Sequence, residues 1–461
     1  MSLRLGKAPG SPKLKVRTLG RAPLPPKARK GLPTLAVLPF RDLRGIGQDE
    51  HLSEGIAEEV LQALNQVEGL RVFSRTTSFP FGGSELSLAE VGRRLQADAV
   101  LGGALEKQEA LLILKTELVD VRSTRLLWYK VYEFEPRRLF ATLEDVLRRV
   151  ASALGLEALI QPRQPVDLEA YEYYLRGRRY YYQFNRQGMA LAEQMFKRAL
   201  DLEPGFASAW AGLANCAAYA YIYIERAAAQ RDLAEASSRR ALELDPNLAE
   251  AQASRGVALS AAGLVEEAEA AFEAALCLDP NLYEAAYFYA RHCFAAGKPE
   301  RAIEYFEWAA AQRPEDFQAI LLVAQVYHSL GLEDEAERAR RQGLALVEQR
   351  LSRVPEDVRA RYMGANALVA LNERDKGLAW ARLAREMDPD DPMLLYNLGC
   401  IHALAGDPEE ALACLQRAVA AGLSQKDWLL HDGDLDALRV RPEFQRLMAS
   451  LEHQPSLQGE R

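Results

Sequence analysis

Between residues 168 and 424 the apolar positions fall at helical spacing, and proline breaks the runs at regular intervals. Pro204, Pro246, Pro280, Pro314, Pro355 and Pro389 stand 42, 34, 34, 41 and 34 residues apart. Three of the five intervals equal 34, and the other two exceed it by an insertion of seven or eight. The register continues inside each interval. Twelve residues before the first four prolines stand Ala192, Ala234, Ala268 and Ala302. Eight before come Phe196, Phe272 and Phe306, with Ser238 as the exception. Five before come Ala199, Ala241, Ala275, Ala309 and, later, Ala384. On the first helix of each unit a small residue recurs at one place: Ala214, Gly256, Ala290, Ala324, Ala365 and Gly399. Small residues facing large ones let paired helices interlock, and each pair buries the face its neighbour leaves open. Proline ends the second helix because its ring bars continuation.

This register resembles that of tetratricopeptide repeats, whose helix–turn–helix unit is 34 residues long. Seven units are expected, at about 171–204, 207–246, 249–280, 283–314, 317–355, 358–389 and 392–422. The second and fifth are lengthened by Tyr221–Gln230 and Val347–Arg353. A cap is expected from Trp428 to Leu451, because the last repeat would otherwise expose an apolar face. In the resembled repeats the first helices line a concave face, with their second, fifth, ninth and twelfth positions pointing inward. That register offers Asn215, Tyr287, Arg291, Gln325, His328, Tyr362, Asn366 and Tyr396 as a groove lining, with Tyr219 nearby. Tyrosine gives a flat apolar face and a hydroxyl, and Arg291 can fork onto a carboxylate, so an extended peptide or small polar ligand suits the lining. The competing reading leaves this face solvated, or filled by the chain's own tail. The Lys/Asn arrangement of carboxylate-clamp repeats is missing: Ala211 stands four residues before Asn215, and Tyr362 four before Asn366.

Residues 32–158 alternate differently. Leu32–Phe40 reads as a buried strand, followed by a helix over about 51–66, a strand at 70–75 and a helix at 88–96. Strands at 97–106, 110–121 and 125–133 and a helix at 138–154 complete a βαβα-βββ-α order, which predicts a mixed sheet covered by helices. A short connection at Lys107–Glu109 predicts a hairpin. Leu38-Pro39-Phe40, Gly55 with Glu58-Glu59, Arg75-Thr76-Thr77-Ser78-Phe79, Leu101-Gly102-Gly103, Leu127-Trp128 and Phe140 together resemble the TolB amino-terminal-like domain. That resemblance implies a bacterial regulatory or scaffolding protein, because such domains accompany winged-helix regulators, adenylate cyclases or kinases. No such module is legible here, and residues 1–31 are too short for one. Trp428–Leu447 also resembles the tail that closes such repeat proteins. The resemblance supplies no catalytic residues.

Composition adds modest constraints. Residues 1–31 carry nine Lys/Arg and no Asp/Glu, which leaves the remainder at −17 in a chain of net charge −8. Such a basic, Pro/Gly-rich stretch reads as a disordered tail or linker. Without interleaved aromatics it supplies at most weak, salt-sensitive attraction to nucleic acid or an anionic surface. Leu14–Leu19 alternates briefly, as an edge strand would. Five cysteines without metal-ligand spacing indicate reduced thiols and a cytoplasmic location. No signal peptide or membrane span is legible.

The candidate chemical motifs have simpler readings. Gly45-x-Gly47 sits where a dinucleotide fingerprint would, but Asp49 and Glu50 would repel a pyrophosphate. Asp432, Asp434, Asp436 and Glu443 have calcium-loop spacing, but Ala437 replaces the turn glycine and Pro442 precedes the glutamate. Those carboxylates suit a capping turn. His292-Cys293 and Cys400-x-His402 read as core packing. No nucleophile elbow or zincin helix occurs.

The sequence thus points to a multidomain α/β plus all-α chain: basic tail 1–31, mixed α/β domain 32–158, right-handed α-solenoid 168–424, cap and tail 425–461. Its expected function is a non-enzymatic scaffold, without metal or cofactor, that binds a protein or peptide in the groove. The alternative is a ligand-sensing input module of a transcriptional or second-messenger system. An open solenoid end also allows a homodimer.

Overall fold

The computed structural model describes residues 32–43, 50–67, 69–73, 75–108, 111–157, 166–224, 226–423 and 425–452. The basic tail with Leu14–Leu19, the loop holding Gly45, Gly47 and Asp49, and residue Glu109 lie outside the described residues.

The N-terminal region opens with β1 (Thr34–Val37), β2 (Arg41–Asp42), α1 (Glu50–Asn65), β3 (Arg71–Val72), α2 (Arg75–Ser78) and α3 (Leu88–Leu95). It continues with β4 (Ala99–Gln108), β5 (Leu111–Asp120), β6 (Leu126–Phe134) and α4 (Leu139–Ala153). The sheet runs β3-β1-β4-β5-β6, with β2 added beside β4. β1 is parallel to both neighbours, whereas β4, β5 and β6 form an antiparallel meander. A central parallel strand is covered on both faces, which explains why Leu35, Ala36 and Val37 are all fully buried. Leu35 and Val37 meet α1 and α4, and Ala36 meets the smaller cluster that includes Val91 of α3. Helix α3 begins on a reciprocal cap: the Ser87 hydroxyl accepts from the Glu90 amide, and the Glu90 carboxylate accepts from the Ser87 amide at 2.9 Å. The sequence pattern missed the two-residue β2 and the single turn α2, both too short to carry a period, and its strand over 70–75 shrinks to Arg71–Val72 because Arg75 already opens α2.

The remaining helices pair in sequence. They are α5 (Leu168–Tyr181) with α6 (Arg186–Leu202), α7 (Ala207–Tyr223) with α8 (Ala228–Leu244), and α9 (Ala249–Ala261) with α10 (Val265–Leu278). Then follow α11 (Tyr283–Ala295) with α12 (Pro299–Gln312), and α13 (Phe317–Ser329) with α14 (Glu333–Arg353). The last pairs are α15 (Val358–Ala370) with α16 (Arg374–Met387) and α17 (Pro392–Leu404) with α18 (Pro408–Ala420). The long units have the expected causes: α7 continues to Tyr223, and α14 reaches 21 residues.

The small-against-large register is the packing itself. A Cβ on Gly256 would lie 2.8 Å from the Phe272 ring, and one on Gly399 2.8 Å from Leu415. Phe272 and Phe306 are fully buried and Phe196 nearly so. Gly263, Gly297, Gly331 and Gly406 turn the chain between paired helices with φ of 77°, 70°, 72° and 78°. Asn372 does so in the sixth unit with φ 65°, a conformation asparagine tolerates better than most residues.

The chain after the seventh pair forms α19 (Lys426–His431), a short 3-10 helix (Gly433–Leu438) and α20 (Pro442–Glu452). One hydrophobic core runs from α1 and α4 into α5 and along the array. Leu175 lies so close to Gly55 that any larger residue there would collide, and Tyr171 packs edge-on against Phe140 at 5.3 Å. Among the described residues no helix is long and apolar enough to cross a membrane.

Candidate functional site

The first helix of each pair faces an inner wall, and the sequence-derived lining residues divide there by neighbour. Tyr287 and Tyr219 are core. Tyr287 is 1% exposed and stacks on Tyr283 at 5.4 Å. Tyr219 donates its hydroxyl hydrogen to the Phe184 carbonyl at 2.9 Å. Phe184, in the α5–α6 loop, lies 6.4 Å from both Tyr287 and Phe288, so the first pair touches the fourth across the superhelical turn. Tyr362 is buried and accepts from Arg359 at 3.3 Å. Asn215 and Gln325 are half-buried.

The later pairs meet the chain's own C-terminal segment. Asn366 Nδ2 donates to Asp434 Oδ2 at 2.8 Å, and the Tyr396 hydroxyl bonds Asp432. Trp428 Nε1 donates to the Tyr396 hydroxyl at 3.0 Å, and its ring packs edge-on against Phe294 at 4.7 Å. The Gly433 amide donates to Ser329 Oγ at 3.0 Å. His328 sits between Glu333, at 2.7 Å from Nδ1, and Asp434, at 4.0 Å from Nε2. The expected cap therefore does more than cover the last repeat: its 428–434 stretch lies against the inner wall of pairs four to seven.

That seat also accounts for the acidic spacing. Asp432 and Asp434 are buried anchors, whereas Asp436 pairs with Arg439 at 2.6 Å and Glu443 with Arg446 at 3.2 Å. The four carboxylates do not close into one loop. Cys400 lies within 4.8 Å of Asp432 and Asp434 and donates to Asp432 at 3.3 Å. Cys293 is fully buried, and burial pushes its thiol up to about 12.

Where the first helices begin, a cleft of about 2420 Å³ opens between α1, α5 and the turns that join successive pairs. Fifteen Asp/Glu and six Arg line it, with no Lys. Several acids have a local role: Asp316, Asp357 and Asp391 accept backbone amides at the starts of α13, α15 and α17. Burial raises the pKa of Asp279, Asp316, Asp388 and Asp391. Arg178 pairs with Glu58 at 3.0 Å and Arg313 with Glu284 at 2.7 Å. Arg359 instead donates to the hydroxyls of Tyr287, at 3.1 Å, and Tyr362, and its Nε is buried without a partner. Glu284 and Arg359 occupy the second position of their first helices. The inward register contains them, so the pattern could have found both. Nothing local announces Phe184.

Residues 261–343 match the model of subunit 3 of the anaphase-promoting complex, or cyclosome, and residues 392–421 match the tetratricopeptide repeat model. The helical array is a solenoid of helix–turn–helix pairs, and its seventh pair matches a tetratricopeptide repeat. Residues 30–150 match the second domain of the HilA/YgeH-like transcriptional regulators. A protein of Rhizobium meliloti (strain 1021) named "Putative adenylate cyclase 3" is 31% identical over 195 residues, which span 41% of this chain and 33% of that protein. The chain thus spans about a third of the length of this curated relative. Among solved structures, YrrB, described as a TPR protein with an unusual peptide-binding site, is 22% identical with a TM-score of 0.27 over 42% of this chain and 96% of its own. A tetratricopeptide repeat protein from Parabacteroides merdae is 18% identical with a TM-score of 0.35, over 57% and 98% of the two chains.

Proposed function

We propose that the chain is a non-catalytic interaction scaffold whose partner presents an extended, Lys/Arg-rich segment to the cleft at the start of the first helices. The observation that carries this reading is the cleft's charge, fifteen carboxylate residues against six arginines. Opposed charge steers encounter and rejects acidic partners, and backbone and tyrosine groups supply the hydrogen bonds of an extended segment. The groove residues first expected from the sequence divide accordingly: Asn366, Tyr396 and His328 hold the chain's own cap, and Tyr287 and Tyr362 support the cleft floor.

The N-terminal region fits a TolB amino-terminal-like domain in bacterial regulation. The match to a transcriptional regulator's second domain and the likeness to a protein named an adenylate cyclase both support a signalling setting. A partner in the cleft would touch α1 and the solenoid together, which links the two regions physically.

The test is capture of partners from the native host by the full chain, beside a version carrying Glu356→Lys and Asp388→Lys. Both residues line the cleft and neither belongs to the core. Capture of a basic partner should fall roughly tenfold or more, with helical circular dichroism unchanged. Equal capture by both versions rules the cleft out.

A further inference from the structure

A second cavity, of about 300 Å³, lies beneath Trp428 between α7, α9, α11 and α19. Tyr219, Tyr223, Phe288 and Trp428 give it aromatic walls. Arg291 enters it from α11 and is only 7% exposed. Its Nε donates to the Tyr223 hydroxyl at 2.9 Å, and a terminal nitrogen donates to the Tyr287 hydroxyl at 3.3 Å. Its guanidinium lies 4.8 Å from the ring centres of both Tyr223 and Trp428. Among the described residues it makes no ion pair.

Arg359 at the cleft likewise has no ion pair among the described residues. The half-buried Arg178 and Arg313, by contrast, are matched to Glu58 and Glu284. The charged group nearest to Arg291 by hydrogen bonding is another cation, since Arg359 donates to the same Tyr287 hydroxyl. A guanidinium cannot shed its proton, and a buried charge without an opposite is costly. Stacking on tyrosine and tryptophan offsets part of that cost. An anion in the cavity would offset the rest. Asn215 lines the same cavity, and its Oδ1 is buried without a partner, so one acceptor there awaits a donor.

We infer that this cavity binds a small organic anion with a flat apolar body. Its carboxylate or phosphate takes the free donors of Arg291, its ring packs among Tyr219, Phe288 and Trp428, and a hydroxyl or N–H on it reaches Asn215 Oδ1. A volume of about 300 Å³ is at the small end for ligand sites and suits one or two rings. Trp428 belongs to the segment seated on the inner wall, so an occupied cavity also holds that segment in place. Arg291 and the cleft's Arg359 meet the same Tyr287 hydroxyl from different cavities, so the site does not depend on the partner reading.

The test uses the full chain and three probes: phenylacetate, phenyl phosphate and the neutral phenylacetamide. Tryptophan emission and the thermal midpoint are followed at millimolar probe concentrations. At least one of the two anions should saturate the emission change and raise the midpoint, and the amide should do neither. The better anion then tells a carboxylate site from a phosphate site. The emission change should vanish in Trp428→Phe, and affinity should fall roughly ten- to a hundredfold in Arg291→Met, while Glu356→Lys in the cleft leaves it unchanged. The inference is overturned if neither anion saturates, if the amide binds as tightly, or if Arg291→Met binds as well as the unaltered chain. Should Arg291→Met fail to fold, the comparison of anions with amide in the unaltered chain still decides.

Discussion

The two halves of the solenoid's inner wall are built from one register and end up chemically different. In the later pairs the inward positions hold Asn366, Tyr396 and Cys400, and the chain's own Asp432–Asp434 turn satisfies them. Elsewhere they hold Arg291 of the fourth pair and, at the cleft end of the same α15 that carries Asn366, Arg359; among the described residues these two meet hydroxyls and rings. A closed polar network rigidifies, whereas an open one keeps its donors for something else. The difference teaches that one wall can be structural at some inward positions and receptive at others without any change of fold.

The strongest way to break this contrast is to empty the closed half. Trp428→Ala removes a ring that is 4% exposed and packs on Phe294. We expect a loss of about 3–5 kcal/mol in urea denaturation, together with new proteolytic cleavage around residues 425–452. An unchanged midpoint would mean that the segment does not stabilise the wall.

The next test sharpens it through pH. Burial, aided by the neighbouring Asp432, pushes the Asp434 carboxyl up to about 7. The folded chain therefore keeps a proton that the unfolded chain releases near 4, and stability falls as pH rises from about 4 to about 7. The fall is about 2–4 kcal/mol, and Asp434→Asn, which can still accept from Asn366, should flatten that slope. A parallel slope in the variant assigns the effect to other groups.

The open half has its own brace. Glu284 accepts from the Tyr182 hydroxyl at 2.5 Å and pairs with Arg313, joining the first pair to the fourth. Burial raises its pKa, but Arg313 and Tyr182 more than offset this, and the carboxyl is held below its ordinary range. Glu284→Gln should cost about 2 kcal/mol, read by the same denaturation. It should leave Trp428 protection unchanged if the halves are independent.

The smallest effect belongs to an exposed ion pair between the turns of the sixth and seventh pairs. Arg374 contacts both oxygens of Asp407, at 3.0 and 2.8 Å, with the side chains 48% and 39% exposed. Asp407→Asn should change stability by only about 0.2–1 kcal/mol and lose even that in high salt. A larger loss would show that this exposed pair also takes part in holding the last two pairs together.

The helix pairs were legible because each is a local object. Proline, a turn glycine and a small residue opposite a phenylalanine all act within one 34-residue unit, as Gly256 under Phe272 does. The N-terminal order was legible for the same reason: α1, α3 and the three long strands each carry a full period. The candidate site was half legible. The inward register located Tyr287, Arg291, Tyr362, Asn366 and Tyr396, but it gave no means of telling a wall residue that faces solvent from one that faces the chain.

By itself, then, the amino-acid order determined which residues pair into helices, how many pairs stack, and which side of each first helix turns inward. Tertiary structure alone decided what those inward residues meet. Phe184 reaches Tyr287, Arg359 reaches Tyr287, and Asp434 reaches Asn366 across roughly 70 to 100 positions. Those meetings depend on the pitch of the superhelix and on where the last segment folds back. Small rotations at every pair add up to that pitch, so no single unit of the sequence contains it.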